Sequence, residues 1–564
     1  MVIEQPDVLV IGGGAAGVIA ALEASKNARV MMIAKDRVLG GASIQASGGV
    51  CLPSIDGDVD EEIELFIADT LKGGEDINNV DLVRLLAQEG TSYISYLEEL
   101  GVVFDRDMEG NYRVKTKFTE GHSVKRNYQD RRMYHEIARV MRNKLIHSDV
   151  TLCEYTMVFG LCAENGQVIG AIAYSIPDGK LLYIMPRVVV LASGGYGQLY
   201  KITDNAFSLT GEGASLALDC GAELIDMEMV QFIPLAFPYP KSMLGVFIGM
   251  CSNFGPEVKL YNGLGERFME RYIPGKLEFG TRDEVARAIF REISEGRGTK
   301  HNAVVVDTTE NDPALNSFYR VSNYTVYSML ARVFGEKVAA WEEPFEAVPS
   351  QHFSMGGVRI NTETRTRCNN LFAVGEVSGG IHGANRLAGT ALLEVIIMGK
   401  IAGLSAGEEA LKMKFPPNAE QKLKEYFYSE EAKLKALFEP LKEESVSGEQ
   451  IKQKIQKIMW ECGGIVRNEH MLNTGISEIR NIATQLDTLK VVDKKTWNYS
   501  LIEALEAKHM VVVAEAVLKS ALLRKESRGS HYRDDYPDRN EEYNGNVIVS
   551  KTLEGDLTAT FEKK

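Results

Sequence analysis

The period of the apolar positions changes several times along the chain, and the changes mark its organisation. Residues 7–33 read strand, turn, helix, strand: a strand at 7–10, apolar after Asp7, glycines from Gly12 to Gly17, helical spacing over 18–25, and a second strand at 29–33, apolar after Arg29. A short continuous apolar run bounded by turn signals is the pattern of a strand buried on both faces. Residues 60–150 carry helical patterns with long connections. Between 151 and 192 the pattern shifts to strands at 151–158, 167–175 and 181–191, with turn signals Glu164-Asn165-Gly166 and Pro177-Asp178-Gly179 between them. A glycine-dense middle extends from Thr210 towards Pro344, a strand at 371–375 enters glycine-rich sequence, and 390–404 reads as a helix. From Asn418 to Arg524 the composition turns to Glu, Lys, Leu and Ala at helical spacing, which predicts a helical C-terminal domain. After Ser530 the chain is polar and charged and is expected to pack as an extended tail.

Length and charge narrow the classes. At 564 residues the chain exceeds what one core can organise, so two or three domains are expected. The formal charge is 63 − 78 = −15, which disfavours nucleic acid or an anionic membrane as partner. No stretch approaches the roughly 20 apolar residues of a membrane span. The first apolar run lacks the basic flank and cleavage site of a signal peptide. The expectation is a cytoplasmic chain that does not itself span a membrane. The seven cysteines form no C-x-x-C pair, which argues against a disulfide framework and against a metal or iron–sulfur site within this chain.

The strongest local signal is Gly12-x-Gly14-x-x-Gly17, set between a predicted strand and a predicted helix. The first glycine makes the tight turn, the second lets the backbone approach a pyrophosphate, and the third lets helix and strand pack closely. The helix N-terminus then offers free N–H groups and a partial positive charge to the diphosphate. One element of the usual pattern is missing. The second strand ends Ile33-Ala34-Lys35 rather than in the acid that holds an adenosine ribose.

Further segments give the chain a recognisable likeness: Gly40-Gly41-Ala42-Ser43-Ile44-Gln45-Ala46-Ser47-Gly48-Gly49, Leu191-Ala192-Ser193-Gly194-Gly195, Thr210-Gly211-Glu212-Gly213, Leu371-Phe372-Ala373-Val374-Gly375-Glu376, and His382-Gly383-Ala384-Asn385-Arg386-Leu387-Ala388-Gly389. Over nearly its whole length it resembles the flavoprotein subunits of succinate dehydrogenase and fumarate reductase, a family that also includes adenylylsulfate reductase and aspartate oxidase. The resemblance implies an α/β fold: a Rossmann-like FAD-binding domain (1–220 and 345–410), an inserted capping domain (221–344), a helical C-terminal domain (411–530) and the tail (531–564). It implies FAD contacts at Gly12, Gly14, Ala16, Gly17, Lys35, Gly41, Ala42, Ser43, Ser47, Gly48 and Gly49. Further contacts are implied at Ala192, Ser193, Gly194, Glu212, Gly375, Glu376, Arg386, Ala391 and Leu392. In that family the second strand often ends Ser-Lys, which accounts for Lys35. Members that attach FAD covalently use a histidine where this chain has Ala42, so noncovalent FAD is expected. The run from Glu526 to Pro537 resembles the tail of members that dock an iron–sulfur subunit, which implies a ferredoxin-like partner.

The resemblance also sorts the substrate residues. Arg282 matches the family's proposed proton donor; His352, in His352-x-x-Met355-Gly356-Gly357, and Arg386 match the pair that binds the carboxylate beside the reacting carbons. An arginine fork with a directed histidine donor suits that role chemically. Arginine as an acid is awkward, since its pKa lies above about 12, so that role rests on resemblance alone. Other positions depart. The family's Gln-Phe-His-Pro-Thr is Gln231-Phe232-Ile233-Pro234-Leu235 here, and its Thr-Glu-Gly-x-Arg-Gly becomes Met250-Cys251-Ser252-Asn253-Phe254-Gly255. Ile233 and Met250 thereby replace contacts to a second carboxylate, and Cys251 and Phe254 replace a proton relay. Hydrogen bonds to a charged group are worth roughly 1.5–3 kcal/mol, so losing two implies dicarboxylate turnover weaker by on the order of 10³-fold. The leading expectation is an FAD-dependent oxidoreductase of CH–CH bonds whose small-molecule substrate bears one carboxylate, or a comparable anion, at the reacting bond. The alternatives are a flavoprotein like that of adenylylsulfate reductase, or an electron-transfer flavoprotein subunit without its own substrate.

Overall fold

The computed structural model describes residues 2–564 apart from 46–48, 55–57, 115–118, 120, 129–134, 323 and 441–443. Five strands form a parallel sheet in the order Leu371–Ala373, Val188–Leu191, Val8–Ile11, Val30–Ile33, Thr151–Cys153. The first four are buried along their whole length, as continuous apolar runs in a parallel sheet require. Two strands expected as single units are each divided between sheets. The 151–158 stretch breaks at Glu154-Tyr155, where Tyr155 has φ +51°, and continues as Thr156–Glu164. The 181–191 stretch breaks at Met185-Pro186-Arg187, where proline cannot supply a ladder N–H. Thr156–Glu164, Gln167–Ser175, Lys180–Ile184 and Ile3–Glu4 make a second sheet beside the first.

The helix Ala15–Ala24 packs against Thr390–Lys412 through a stripe of small residues. Cβ atoms added at Gly399 and Gly403 would lie 2.9 and 2.5 Å from the carbonyl oxygens of Ala16 and Ala20. Thr390–Lys412 is long and apolar enough to cross a membrane, with mean hydropathy 1.5, but 61% of its most apolar window is buried inside the protein. Here it is a core helix.

The capping region is an antiparallel sheet in the order Phe247–Gly249, Val230–Ala236, Phe345–Ser354, Val304–Asp307, Lys259–Tyr261, with its own apolar core around Leu260, Phe268, Val306 and Phe345. Helices Ala419–Leu437, Gly448–Cys462, Glu469–Gln485 and Tyr499–Leu523 form the C-terminal helical region. The end of the chain differs from the expected extended tail. Gly545–Lys551 and Leu557–Lys563 form a hairpin that joins Leu224–Ile225, Gly357–Arg359 and Ser378–Gly379 in another five-stranded sheet. Its outer strand alternates Thr558, Thr560 and Glu562 on the exposed side, so the sequence there shows polarity rather than a strand.

Candidate functional site

The glycine turn is built as its spacing requires. Gly12 has φ +125°, and a Cβ on it would fall 2.1 Å from the Ala192 carbonyl oxygen; one on Gly17 would fall 2.1 Å from the Gly12 oxygen. No side chain fits at either place. Elsewhere there is room: among the described residues a Cβ at Gly41 would meet nothing within 4 Å, and one at Gly14 only Ser43 Oγ at 3.7 Å. The helix Ala15–Ala24 has no side-chain cap and no acid in its first turn; the Ala15 N–H reaches Ser43 Oγ at 3.3 Å. Thr390–Lys412, which opens with the predicted contacts Ala391 and Leu392, also starts from a glycine without a side-chain cap. Two helix N-termini therefore present N–H groups and positive dipole ends. Ser193 Oγ is buried with no hydrogen-bond partner among the described residues. Open space beside glycines, uncapped helix starts and an orphaned hydroxyl fit a dinucleotide with a diphosphate at its centre.

Lys35 lies 2.5 Å from Glu212 and 2.8 Å from Glu506. Burial opposes its charge, but the two carboxylates outweigh it and hold its pKa above the usual value. Glu376 follows the left-handed Gly375 (φ +73°), and its Oε1 accepts the Ser354 N–H at 3.0 Å. Burial pushes its carboxyl up to about 7. Ala42 begins the short helix Ala42–Gln45. Ser47 and Gly48 lie outside the described residues, and Gly49 closes that segment with φ +80°.

Arg386 is 8% exposed and poorly satisfied. Its Nη2 donates to Gln231 Oε1 at 3.1 Å, Nη1 reaches the Leu387 oxygen at 3.4 Å, and Nε has no partner among the described residues. The guanidinium stands 4.5 Å over the Phe353 ring. Burial, and then the charge of Arg282, bring its pKa down to about 10. Arg282 opens the helix Arg282–Glu292, whose start is fixed by a capping box between Thr281 and Glu284. Two cations in one another's field, one with donors to spare, make a site that favours an anion.

His352 arrives by a bulge. Gln231 pairs with Phe353 and Phe232 with Gln351, so His352 is the extra residue between them. Bulges re-aim side chains near functional sites. The His352 ring sits with Nδ1 2.7 Å from Asp204 Oδ2.

The residues at the four departing positions are apolar. Ile233 is fully buried, two residues from Gln231 and so on the same face of its strand by the two-residue period. Met250 is half-buried, and Cys251 and Phe254 lie in the capping core, the Phe254 ring 5.3 Å from that of Phe345. Several residues at this site are not predicted from the sequence. Gln231 binds Arg386 from both ends, since its Nε2 also donates to the Arg386 oxygen at 2.9 Å and to Asn385 Oδ1 at 2.7 Å. His122 is buried with Nε2 2.9 Å from the Ala388 oxygen and Nδ1 without a partner among the described residues. Gln231 and Asn385 lie inside recognised motifs and could have been found by adjacency; Asp204 and His122 have no local signal.

Comparison with known proteins agrees with this geometry. Residues 7–392 match the FAD binding domain family, and residues 452–562 match the fumarate reductase flavoprotein C-terminal family. The chain is 35% identical to one of the subunits of the fumarate reductase (CoM/CoB) of Methanothermobacter marburgensis, over 97% of both chains. The structure superposes on the FrdA chain of E. coli quinol fumarate reductase with a TM-score of 0.89 at 25% identity, covering 100% of this chain and 97% of that one. Adenylylsulfate reductase of Archaeoglobus fulgidus gives a TM-score of 0.70 at 22% identity over 100% and 96%, a likeness of fold.

Proposed function

We infer the reaction from one premise: this chain belongs to the fumarate reductase/succinate dehydrogenase flavoprotein family. It is an FAD-dependent oxidoreductase acting on CH–CH bonds. Its substrate, on our reading, is an enoate (or the saturated acid in reverse) with one carboxylate at the reacting bond and an apolar or aromatic substituent beyond it. The observation that carries this is Arg386, buried with an Nε that has no partner among the described residues, in the field of Arg282, while the next position on the Gln231 face of that strand is the fully buried Ile233.

Bound FAD supplies the two-electron chemistry. Arg386 would hold the carboxylate through its free donors, with Gln231 fixing the fork. His352 would add a directed donor that helps bind the carboxylate, and Arg386 would withdraw charge from the conjugated bond, an effect that grows in the transition state. Arg282 would deliver or accept the proton at the other carbon. Apolar Ile233 and Met250 would leave a second carboxylate without a donor. We further propose that FAD is held noncovalently, since Ala42 offers no nucleophile, and that electrons pass to or from a separate iron–sulfur protein. Acid precipitation releasing all the flavin into the supernatant is the expected result for the first, and co-purification of a cluster protein from the native host for the second.

A second reading, fumarate itself, is supported by the name of the Methanothermobacter marburgensis relative. One experiment separates the two: reoxidation of the reduced protein by fumarate, crotonate, cinnamate and adenylylsulfate. The expected order puts a monocarboxylate enoate ahead of fumarate. A higher kcat/KM for fumarate than for both monocarboxylates favours the second reading, and reoxidation by adenylylsulfate alone overturns both.

A further inference from the structure

His352 is the extra residue of a bulge, so the strand ladder does not set the direction of its ring. Residues 202–205 do. They run beside the bulged strand and are fastened on both sides of it. Gln351 N–H donates to the Ile202 oxygen at 2.9 Å, and Asp204 N–H donates to the Gln351 oxygen at 3.1 Å. Thr203 Oγ1 donates to Gln351 Oε1 at 2.7 Å, and Asn205 Nδ2 donates to the His352 oxygen at 2.8 Å. This anchoring brings the Asp204 carboxylate, 11% exposed, to 2.7 Å from His352 Nδ1. Its other oxygen accepts from Asn205 Nδ2 at 2.9 Å, which fixes the carboxylate plane. Phe247 stacks on the imidazole with ring centroids 6.1 Å apart and an angle of 29°.

A carboxylate only accepts hydrogen bonds, so Nδ1 carries a proton and Nε2 is the nitrogen left for a ligand. We propose that Asp204 is a positioning residue for His352, presenting Nε2 to the substrate carboxylate and supplying the counter-charge for the doubly protonated ring that such a complex needs. In that complex the imidazole lies between two acceptors, Asp204 at Nδ1 and the substrate at Nε2, and both nitrogens donate. The charge-assisted bond on the Asp204 side stabilises the form that holds the substrate. The proposal rests on the reading of His352 as part of the carboxylate clamp.

The test uses holoenzyme with reduced flavin and, as probe, whichever of crotonate, cinnamate and fumarate reoxidises the wild type fastest. Asp204→Asn keeps the size and a hydrogen bond but removes the charge. KM should rise by on the order of tenfold, the effect of weakening one charged hydrogen bond by about 1.4 kcal/mol, with kcat within about threefold and flavin content unchanged. Asp204→Glu should recover part of the loss. In a His352→Ala background Asp204→Asn should add nothing, because the effect passes through the imidazole. Asp204→Ser, read by the same criteria, covers the case in which the asparagine variant fails to retain flavin. If His352→Ala raises KM but the Asp204 variants do not, or if they raise it equally with and without the imidazole, the assignment of Asp204 is wrong. If His352→Ala leaves KM unchanged, or none of the three probes reoxidises the wild type, the clamp reading beneath it fails as well.

Discussion

Two buried arginines in this protein meet opposite conditions. Arg524 is 0% exposed, and each of its five donors has an acceptor. Nε bonds Glu228 at 2.6 Å, Nη1 bonds Glu526 and the Tyr543 oxygen at 3.0 Å each, and Nη2 bonds Asp226 at 3.3 Å and the Gly545 oxygen at 3.0 Å. The carboxylates outweigh burial and raise its pKa. Arg386 is nearly as buried but has, among the described residues, two weak partners, an idle Nε and a second cation nearby, and its pKa falls to about 10. A guanidinium saturated by its own chain has no donor left for a ligand. One left unsaturated at the cost of desolvation implies that something outside the chain completes it. The first kind is architecture, and the second is a binding site.

The clasp around Arg524 serves the site from a distance. Glu228 and Asp226 precede the strand that carries Gln231 and Ile233. Arg528 bonds Glu526 at 2.6 Å, and Ser530 Oγ donates to the Ala384 oxygen at 2.9 Å, two residues before Arg386. The segment that resembles a partner-docking tail thus faces inward over much of its length, and its exposed part begins at Asp534.

The largest effects should separate the two regions cleanly. Arg282→Ala should lower kcat by on the order of 10²–10⁴-fold, the usual range for a lost acid–base group, with flavin content and melting temperature close to wild type. An equal loss of flavin would mean that Arg282 holds the fold rather than the reaction. Arg524→Ala should do the reverse. Removing one partner of a buried ionic cluster leaves Glu228 and Asp226 uncompensated, while Glu526 keeps Arg528, and costs about 3–5 kcal/mol. Denaturant unfolding should show that loss, while kcat per bound flavin changes little under stabilising conditions. A loss below about 1 kcal/mol would remove the contrast drawn between the two arginines.

What could be read from the sequence follows from how local each cause is. The glycine turn was legible because Gly12 and Gly17 answer to backbone atoms a few residues away or in the adjoining strand, and their spacing records it. The parallel strands were legible as apolar runs, although their breaks at Tyr155 and Pro186 were not. The hairpin at 545–563 was hidden because its outer strand is polar on the exposed face. The buried tail was hidden for a different reason. Nothing local marks Arg524, Arg528 and Arg533 as buried, because the acids that pair with Arg524, Asp226 and Glu228, lie nearly 300 positions earlier. The Asp204–His352 contact, 148 residues apart, is of the same kind: periodicity carries no trace of it.

The smallest expected effect tests whether the apolar side of the site directs specificity. In the double variant Ile233→His, Met250→Thr, two donors would face the position where a second carboxylate of fumarate would lie. Ile233 is fully buried, so the new imidazole would be desolvated in the empty enzyme, and stability should drop by about 1–3 kcal/mol. A bound dianion would return part of that cost, because each donor bonds a charge. Even with imperfect geometry, kcat/KM for fumarate should rise about tenfold, or about 1.4 kcal/mol, while that for crotonate or cinnamate falls. The rise should depend on Arg386, because the first carboxylate must still be held; with Arg386→Lys added, the gain should vanish, since an ammonium cannot reproduce the fork. A wild type already more efficient with fumarate than with either monocarboxylate, and unimproved by the double variant, would mean that Ile233 and Met250 do not set the specificity. The contrast between the cationic and apolar sides of the site would then be one of packing.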